Sequence, residues 1–260
     1  MTAGAHFLSA VSAGKRRRAS RVVAADGRCV LVAMDHPAYM GTGVPTEAVE
    51  PIASAQPDAV LTTWHLARRH PEAFARSGLV LRVDGGIADM GEPATDDTST
   101  LLYTAEQAMV LGADAIIVMA FSGAHDEHVS LSRLAHLSAE CEKIGMVLIA
   151  ESIPGGWAQE VPWTVENVAK GTRIATELGA DMIKTMCPGP TDEFTEVVEA
   201  CGVPVLALGG PRMDHEDDVI EMASGVVAAG AAGVAIGRNV WGSQDPKNMV
   251  TRLMQAVHGP

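Results

Sequence analysis

Lys184 ends an apolar segment of the chain, and its amine is the side chain from which a chemical function is most readily inferred. The segment from Gly179 to Thr185 is small and apolar except for Asp181 and Lys184, which is typical of a buried parallel strand. Desolvation disfavours the ammonium form and lowers the pKa of a lysine, which favours attack on a carbonyl and formation of a Schiff base. A lysine that reaches a structural carboxylate would give the same pattern, so both interpretations remain open here. The other four lysines do not end an apolar strand: Lys15, Lys143, Lys170 and Lys247.

Other polar residues stand directly after short apolar runs. Asp35 and His36 follow the first run, His65 follows the second, Asp84 follows the third and Glu151 follows the fifth. If these runs are parallel strands of one barrel, their carboxyl ends meet at one face and the side chains line a common pocket. We therefore predict substrate contacts for His36, His65 and Asp84, with a purely structural role as the alternative for each.

Two glycine-rich segments follow the last two apolar runs. The first is Gly209-Gly210-Pro211-Arg212 and the second is Gly237-Arg238; we call them the glycine loops. Glycines let backbone N–H groups approach an anion, a following helix adds a positive dipole, and arginine donates charge-assisted hydrogen bonds. The loops after strands seven and eight of a (β/α)₈ barrel commonly bind phosphate. The pattern predicts a phosphate site that uses Gly209, Gly210, Gly237 and Arg238.

The elements that must position these residues form a repeating array. Eight apolar runs alternate with longer segments of helical periodicity, among them 130–144, 164–178 and 216–229. Eight alternations without a linker favour an α/β fold of the closed (β/α)₈ TIM-barrel type over an open doubly wound sheet. The predicted strands are 29–34, 58–63, 79–83, 113–119, 146–150, 180–185, 203–208 and 232–236.

The domain prediction is a single barrel domain over residues 29–260. Residues 1–28 precede the first strand, and we expect them to supply an extra helix that covers the bottom of the barrel or joins a subunit interface. A chain of 260 residues suits this arrangement, and 47% hydrophobic residues supply a substantial core.

Composition argues against several other classes of protein. A net charge of −13 opposes nucleic-acid binding, and no apolar run approaches the ~18 residues of a membrane span. The N-terminus lacks the order of a secretory signal, so we expect a soluble cytoplasmic protein. Four separated cysteines indicate neither a zinc site nor disulfides. No HxH or HExxH spacing occurs around His125 and His128, so no metal site is predicted.

Several motifs together resemble one known superfamily, and they cover nearly the whole chain in the same order. These motifs are Ala33-Met34-Asp35-His36-Pro37, Gly123 with Glu127, Ala150-Glu151, Gly179 to Thr185, Gly209-Gly210-Pro211, and Gly237 to Trp241 with Asp245-Pro246. With them the sequence resembles the DhnA-type, or archaeal-type, class I fructose-bisphosphate aldolases, a superfamily that also contains aminodideoxyheptulosonate synthase and the autoinducer-2-phosphate thiolase.

The resemblance implies a specific use of these residues. Lys184 would be the Schiff-base nucleophile, with Asp35 beside the imine to position the amine or transfer protons. The glycine loops would hold the phosphate of a donor such as dihydroxyacetone phosphate. No metal or other cofactor is needed, because the protonated imine is the electron sink. The resemblance also implies a homo-oligomer, often a decameric ring.

One departure from the family pattern affects proton transfer. Aldolases of this family usually have a tyrosine general acid/base in a Tyr-Pro-Arg-Gly-like segment after strand five, where this chain has Ile153. We expect Glu151 to replace it, with a pKa raised by burial so that it acts as acid and base in turn. Tyr39, in the loop after strand one, is the second candidate.

Three functions are consistent with the sequence. The first is a class I aldolase, a lyase that makes or breaks a carbon–carbon bond between a phosphorylated ketone and an aldehyde. The second is a Schiff-base thiolase or acyl transferase that uses the same lysine. The third is a phosphosugar isomerase or binding barrel in which Lys184 forms only an ion pair.

Overall fold

Eight parallel strands close into a barrel in the computed structural model, which describes residues 12–39, 43–86 and 99–259. The strands follow one another around the barrel in chain order, and the last pairs with the first through Cys29 and Gly233. The predicted (β/α)₈ TIM barrel is therefore confirmed. Strands are numbered in chain order, and β4 (Asp84–Gly85) and β5 (Thr100–Leu101) lie outside the barrel. The barrel strands are β1 (Cys29–Ala33), β2 (Ala59–Thr62), β3 (Gly78–Arg82), β6 (Ala115–Ala120), β7 (Val147–Ser152), β8 (Met182–Thr185), β9 (Val205–Leu208) and β10 (Gly233–Ile236).

Helices lie between successive strands, before the first strand and after the last one. They are α1 (Ala13–Val22), α2 (Thr46–Ser54), α3 (Trp64–Arg69), α4 (Ala105–Leu111), α5 (Glu127–Ile144), α6 (Val165–Glu177), α7 (Phe194–Cys201), α8 (Glu216–Ala228), α9 (Arg238–Trp241) and α10 (Pro246–His258). Short 3₁₀ turns occur at His36–Ala38, Ala73–Arg76 and Thr191–Glu193. The three predicted helices at 130–144, 164–178 and 216–229 correspond to α5, α6 and α8.

Two local features differ from the sequence prediction. Trp64 and His65 follow the second strand, as expected, but they form the first turn of α3, which is capped by the Thr63 side chain accepting the Leu66 N–H. After β3 the chain forms β4 (Asp84–Gly85), which pairs antiparallel with β5 (Thr100–Leu101). The apolar pattern did not predict this hairpin because each strand has two residues.

Successive side chains along each strand point alternately outward and inward, which gives one apolar core between the barrel and the helices and another inside the barrel. Outward side chains such as Val30 and Val32 pack against the helices, whereas inward ones fill the barrel. The inward cluster is apolar through its lower layers and includes Ala33, Val80, Ile149 and Met182. These four residues lie one inward position below the polar residues described next.

Helix α1 covers the bottom of the barrel. Its Ala19 and Val22 are fully buried and belong to the same apolar cluster as the inward strand residues. At this end β10 begins at Gly233, where a side chain would lie 1.9 Å from the Cys29 carbonyl oxygen, so only glycine allows this close strand pairing. The division of the chain into an extension over 1–28 and a domain over 29–260 stays a prediction.

Candidate active site

Four charged residues form the top inward layer at the C-terminal end of the barrel. Two residues beyond Ala33, Val80, Ile149 and Met182, the alternation brings in a charged side chain in place of an apolar one. We call Asp35, Arg82, Glu151 and Lys184 the charged layer. All four are buried, at 4% exposure or less. Burial of so many charges is costly unless they are paired, so their mutual contacts decide what the layer can do.

Lys184 makes its ion pair with Glu151. The Lys184 Nζ lies 2.7 Å from Glu151 Oε1, and the two residues are register partners on the neighbouring strands β8 and β7. The sequence placed both side chains at strand ends, and the structure brings them together. A carboxylate in direct contact with an amine is positioned to accept the ammonium proton, because hydrogen-bond distance is the first requirement for a general base.

Arg82 is the residue of this layer that the sequence analysis missed. Its Nη2 lies 2.7 Å from Asp35 Oδ2 and also contacts Glu151 Oε2, its Nε donates to Asp35 Oδ2 at 2.9 Å, and its Nη1 lies 3.1 Å from Asp84 Oδ1. A signal was available, because an arginine inside the apolar run 79–83 is as unusual as a lysine at the end of 179–185. It was overlooked because it lies within the strand and not after it.

The expectation that burial raises the pKa of Glu151 is wrong. Burial alone would raise it, but the charges of Lys184 and Arg82 outweigh burial and hold the pKa of Glu151 below its ordinary value. The pKa of Asp35 is lowered in the same way, against burial, by Arg82, Lys184 and His36. Both carboxyl groups are therefore anionic at neutral pH, and each is ready to act first as a base.

His36 and Tyr39 lie above the charged layer. The His36 Nδ1 is 4.0 Å from Asp35 Oδ1, and its ring stacks on the Tyr39 ring at 5.8 Å between centroids. Burial, with the charges of Lys184 and Arg238, lowers the pKa of His36, so its ring is neutral at pH 7. Burial and the nearby carboxylates raise the pKa of Tyr39 well above 10. Tyr39 is therefore a neutral phenol beside the site.

The glycine loops lie next to His36. A side chain at Gly237 would lie 2.6 Å from both the Ala33 carbonyl oxygen and the His36 ring, so the loop backbone packs directly against β1. Arg238 Nη2 donates to the Gly210 carbonyl at 2.9 Å, which joins the two loops, and its buried Nε has no hydrogen-bond partner. Gly210 adopts a positive φ of 61°. Phosphate binding here stays a prediction.

Asn239 is a second residue whose role the sequence analysis did not identify. Its Nδ2 donates to the carbonyls of Gly209 and Pro211, both at 3.1 Å, and its Oδ1 accepts from the Met213 N–H at 2.8 Å. These bonds fix the first glycine loop against α9. In the sequence, Asn239 occurs only as part of the motif Gly237 to Trp241. An asparagine side chain that bonds to backbone atoms distant in the sequence produces no sequence pattern from which this role could be predicted.

Asp84 and His65 are the two remaining residues for which the sequence predicts a substrate contact. The Asp84 carboxylate receives Arg82 on Oδ1 and the Met119 N–H on Oδ2 at 2.9 Å, so both oxygens are engaged by protein. His65 is exposed on the first turn of α3. A substrate contact for either residue stays a prediction.

None of the helices within 12–39, 43–86 and 99–259 is long and apolar enough to cross a membrane. In the same ranges, no three His, Cys, Asp or Glu side chains are grouped so that they would hold a metal ion. The expectation that the reaction needs no metal stays a prediction.

Known proteins resemble this chain over most of its length. It is 31% identical to 2-amino-3,7-dideoxy-D-threo-hept-6-ulosonate synthase 1 of Archaeoglobus fulgidus, covering 95% of this chain and 92% of that protein. It is also 31% identical to fructose-bisphosphate aldolase class 1 of Thermoproteus tenax, covering 92% and 93%. An archaeal fructose-1,6-bisphosphate aldolase, solved with its catalytic lysine covalently bound to the carbinolamine intermediate, superposes with a TM-score of 0.83. That structure is 28% identical and covers 94% of this chain and 99% of its own.

The family follows from these matches and from a family profile. The profile described as DeoC/LacD family aldolase matches residues 29–243, which include every strand of the barrel, the charged layer and both glycine loops. The resemblance to class I aldolases is thereby confirmed, and the chain belongs to the DeoC/LacD family of aldolases, enzymes that act as carbon–carbon lyases.

Proposed function

We propose that the protein is a class I aldolase in which Lys184 forms a Schiff base with a phosphorylated ketone such as dihydroxyacetone phosphate. The observation that carries the proposal is the 2.7 Å contact between Lys184 Nζ and Glu151 Oε1, buried at the barrel end where the glycine loops lie. Relatives of this chain include a class 1 fructose-bisphosphate aldolase, and a similar structure holds its catalytic lysine as a carbinolamine. No metal ion is required, since the protonated imine accepts the electrons.

The covalent step begins with proton transfer inside the ion pair. Glu151 accepts a proton from the Lys184 ammonium, and the free amine adds to the ketone carbon. Glu151 then returns its proton to the carbinolamine oxygen, which leaves as water, and a protonated imine remains. One carbon–nitrogen double bond has replaced one carbon–oxygen double bond, with one water released.

Carbon–carbon cleavage then uses the imine as electron sink. In the cleavage direction, a carboxylate removes the proton of the hydroxyl group next to the scissile bond, the aldehyde departs, and the bonding electrons form an enamine on Lys184. Protonation of the enamine carbon and addition of water return the ketone and the free amine. Asp35 Oδ1 is buried without a hydrogen-bond partner, so it is available for one of these transfers.

The glycine loops would hold the donor phosphate. The second glycine loop adjoins the charged layer through His36, since a side chain at Gly237 would lie 2.6 Å from the His36 ring and His36 Nδ1 is 4.0 Å from Asp35 Oδ1. A phosphate at Gly209, Gly210 and Gly237 would anchor the ketone so that its carbonyl carbon meets the amine. This anchoring is the reason to expect a phosphorylated donor.

Trapping with sodium borohydride tests the proposal. The protein is incubated with dihydroxyacetone phosphate, reduced, digested and analysed by peptide mass spectrometry. We expect a reduced adduct on the peptide that contains Lys184 and none on Lys184→Met. No adduct with any of a panel of ketose phosphates would contradict the proposal and favour an isomerase or a binding barrel.

A thiolase is the second candidate, because of Ile153. This residue is fully buried where family aldolases usually have a catalytic tyrosine, and it cannot transfer a proton. A thiolase would use the same imine but transfer an acyl group to a thiol. Assays with aldehydes and with acyl thioesters separate the two: turnover with aldehydes alone supports the aldolase.

We further propose that the protein is a homo-oligomer, with a decameric ring as one form. Light scattering after size-exclusion chromatography tests this directly, and a monomer near 27.1 kDa would contradict it.

A further inference from the structure

We propose that Arg82 is the positioning residue of this site: it holds one oxygen of Asp35 and one of Glu151, so that the other oxygen of each faces the reacting atoms. The inference rests on the proposed Schiff-base function and adds to it a residue that orients both carboxylates at once. It concerns the arrangement of the carboxylates and not the formation of the imine itself.

The contacts divide the four carboxylate oxygens into two pairs. Arg82 binds Asp35 Oδ2, at 2.7 Å from Nη2 and 2.9 Å from Nε, and it also contacts Glu151 Oε2. The second oxygen of Glu151 contacts Lys184 at 2.7 Å, and the second oxygen of Asp35 is buried without a hydrogen-bond partner. A single guanidinium therefore fixes both side chains by one oxygen and leaves the other oxygen of each for chemistry.

The guanidinium is itself held in place from two sides. Asp84 Oδ1 accepts from Arg82 Nη1 at 3.1 Å, and the Met119 N–H fixes the second Asp84 oxygen at 2.9 Å. The Tyr39 ring covers the guanidinium, with Arg82 Cζ 5.5 Å from the ring centroid. The planar guanidinium of Arg82, held on one edge by Asp84 and on one face by Tyr39, cannot turn away from the carboxylates. A lysine ammonium at this position could not be held in this way, because it is not planar and has no fixed fork of donors.

Arg82 also sets the charge state of the two carboxylates. It remains protonated at every pH of interest, and its charge lowers the pKa of both Asp35 and Glu151. Removal of this charge should raise both pKa values. Because Glu151 must be anionic to accept the Lys184 proton, the rate should then begin to fall at a higher pH. We call this fall of the pH–rate profile at acidic pH its low-pH limb.

The test is the pH dependence of borohydride trapping with dihydroxyacetone phosphate. We expect Arg82→Gln to trap roughly 100-fold more slowly at pH 7, with its low-pH limb at higher pH than in the wild type. Arg82→Lys keeps a positive charge and loses the fork, so its limb should stay near that of the wild type while its rate falls roughly tenfold.

Lys15→Met is the matched control. It removes a buried, carboxylate-paired cation at the opposite end of the barrel, and it should leave the trapping rate and the low-pH limb unchanged. A limb that does not move in folded Arg82→Gln, or one that moves equally in Lys15→Met, would overturn the inference. Absence of a wild-type adduct would overturn the proposed function and this inference with it, so the two failures are distinct.

If Arg82→Gln does not fold, Asp84→Asn tests the same inference. This variant loosens one edge of the guanidinium while it leaves Arg82, Glu151 and Lys184 intact. We expect kcat to fall roughly tenfold with an unchanged KM for the phosphorylated ketone, because phosphate is bound elsewhere. An unchanged kcat in Asp84→Asn would also overturn the inference.

Discussion

The barrel contains a buried lysine at each end, and we propose a catalytic role for only one of them. Lys184 at the C-terminal end and Lys15 under the N-terminal end are both 4% exposed. Lys15 comes from α1 and contacts Asp181, the residue directly before β8, while Lys184 lies inside the same strand. The two amines therefore sit near opposite ends of one strand.

The partners of the two lysines differ. Lys15 contacts two carboxylates, Glu142 at 2.7 Å and Asp181 at 3.1 Å, and Asp181 also accepts the Leu148 N–H at 2.8 Å. Burial would lower the pKa of Lys15, but the hydrogen bond to Glu142 and the charge of Asp181 outweigh it and raise the pKa. Lys184 has one close carboxylate, Glu151, and shares it with Arg82.

This comparison shows that burial of a lysine with a counter-ion does not by itself indicate a nucleophile. At the bottom of the barrel, Lys15 holds α1 to the barrel, and its charge is paired with those of Glu142 and Asp181. At the top, Asp35 Oδ1 in the charged layer and Arg238 Nε in the second glycine loop are buried without hydrogen-bond partners. Buried polar atoms without hydrogen-bond partners, at the barrel end that holds a buried lysine, indicate a site that is completed by a substrate.

The largest expected difference between the two ends comes from removal of each amine. Lys184→Met should lower turnover by roughly 10⁴-fold or more, because the covalent nucleophile is lost, and stability should change little. Lys15→Met should keep turnover but cost about 3 kcal/mol of unfolding free energy, because Asp181 is left buried and unpaired. Steady-state kinetics and urea unfolding measure both quantities. Equal losses of activity in the two variants would contradict the comparison.

Neutralising the acid partner of each lysine gives the next largest effect. Glu151→Gln should slow turnover roughly 10²- to 10³-fold, because the proton acceptor of Lys184 is removed, while the borohydride adduct still forms slowly. Glu142→Gln changes the partner of Lys15 in the same way, and it should have no effect on turnover. Normal turnover in Glu151→Gln would transfer the proton-transfer role to Tyr39 or a water molecule.

Arg238→Met should affect binding of the donor more than its chemistry. Loss of a charge-assisted phosphate contact should raise KM for dihydroxyacetone phosphate roughly 10- to 100-fold, with a smaller change in kcat. Unphosphorylated dihydroxyacetone is the control substrate, since its kcat/KM should be insensitive to this change. Equal effects on both substrates would argue against phosphate at the glycine loops.

The smallest effect is expected from a pH-sensitive contact at the bottom of the barrel. His258 lies 2.7 Å from Asp26 and 2.9 Å from Asp58, and these hydrogen bonds, against burial, raise the pKa of His258 above 6.5. Its stabilising effect is therefore complete below pH 6.5 and lost as the pH rises through the folded-state pKa. His258→Gln should cost about 1 kcal/mol at pH 6 and nearly nothing at pH 9 by urea unfolding. A cost that does not depend on pH would contradict this assignment.

Much of the fold was predictable from local patterns. Each barrel strand is an apolar run bounded by polar or glycine residues, and glycines such as Gly112 and Gly145 end helices in the left-handed conformation before the next strand. The hairpin of β4 and β5 was not predictable, because two-residue strands have no periodicity. The short helix α3 was not predicted either, and it leaves His65 exposed on its first turn.

The sequence by itself determined the array of strands and helices, the lysine at the end of β8 and the glycine loops, because each strand, helix and loop depends on residue types within one short segment. Only the tertiary structure decided which charges meet. Arg82, Glu151 and Lys184 lie in three different strands and Asp35 follows a fourth, and barrel closure brings them into one layer. The pKa of Glu151 was predicted in the wrong direction for the same reason. Burial can be inferred from a strand pattern, but the distance to two cations from other strands depends on how the barrel closes.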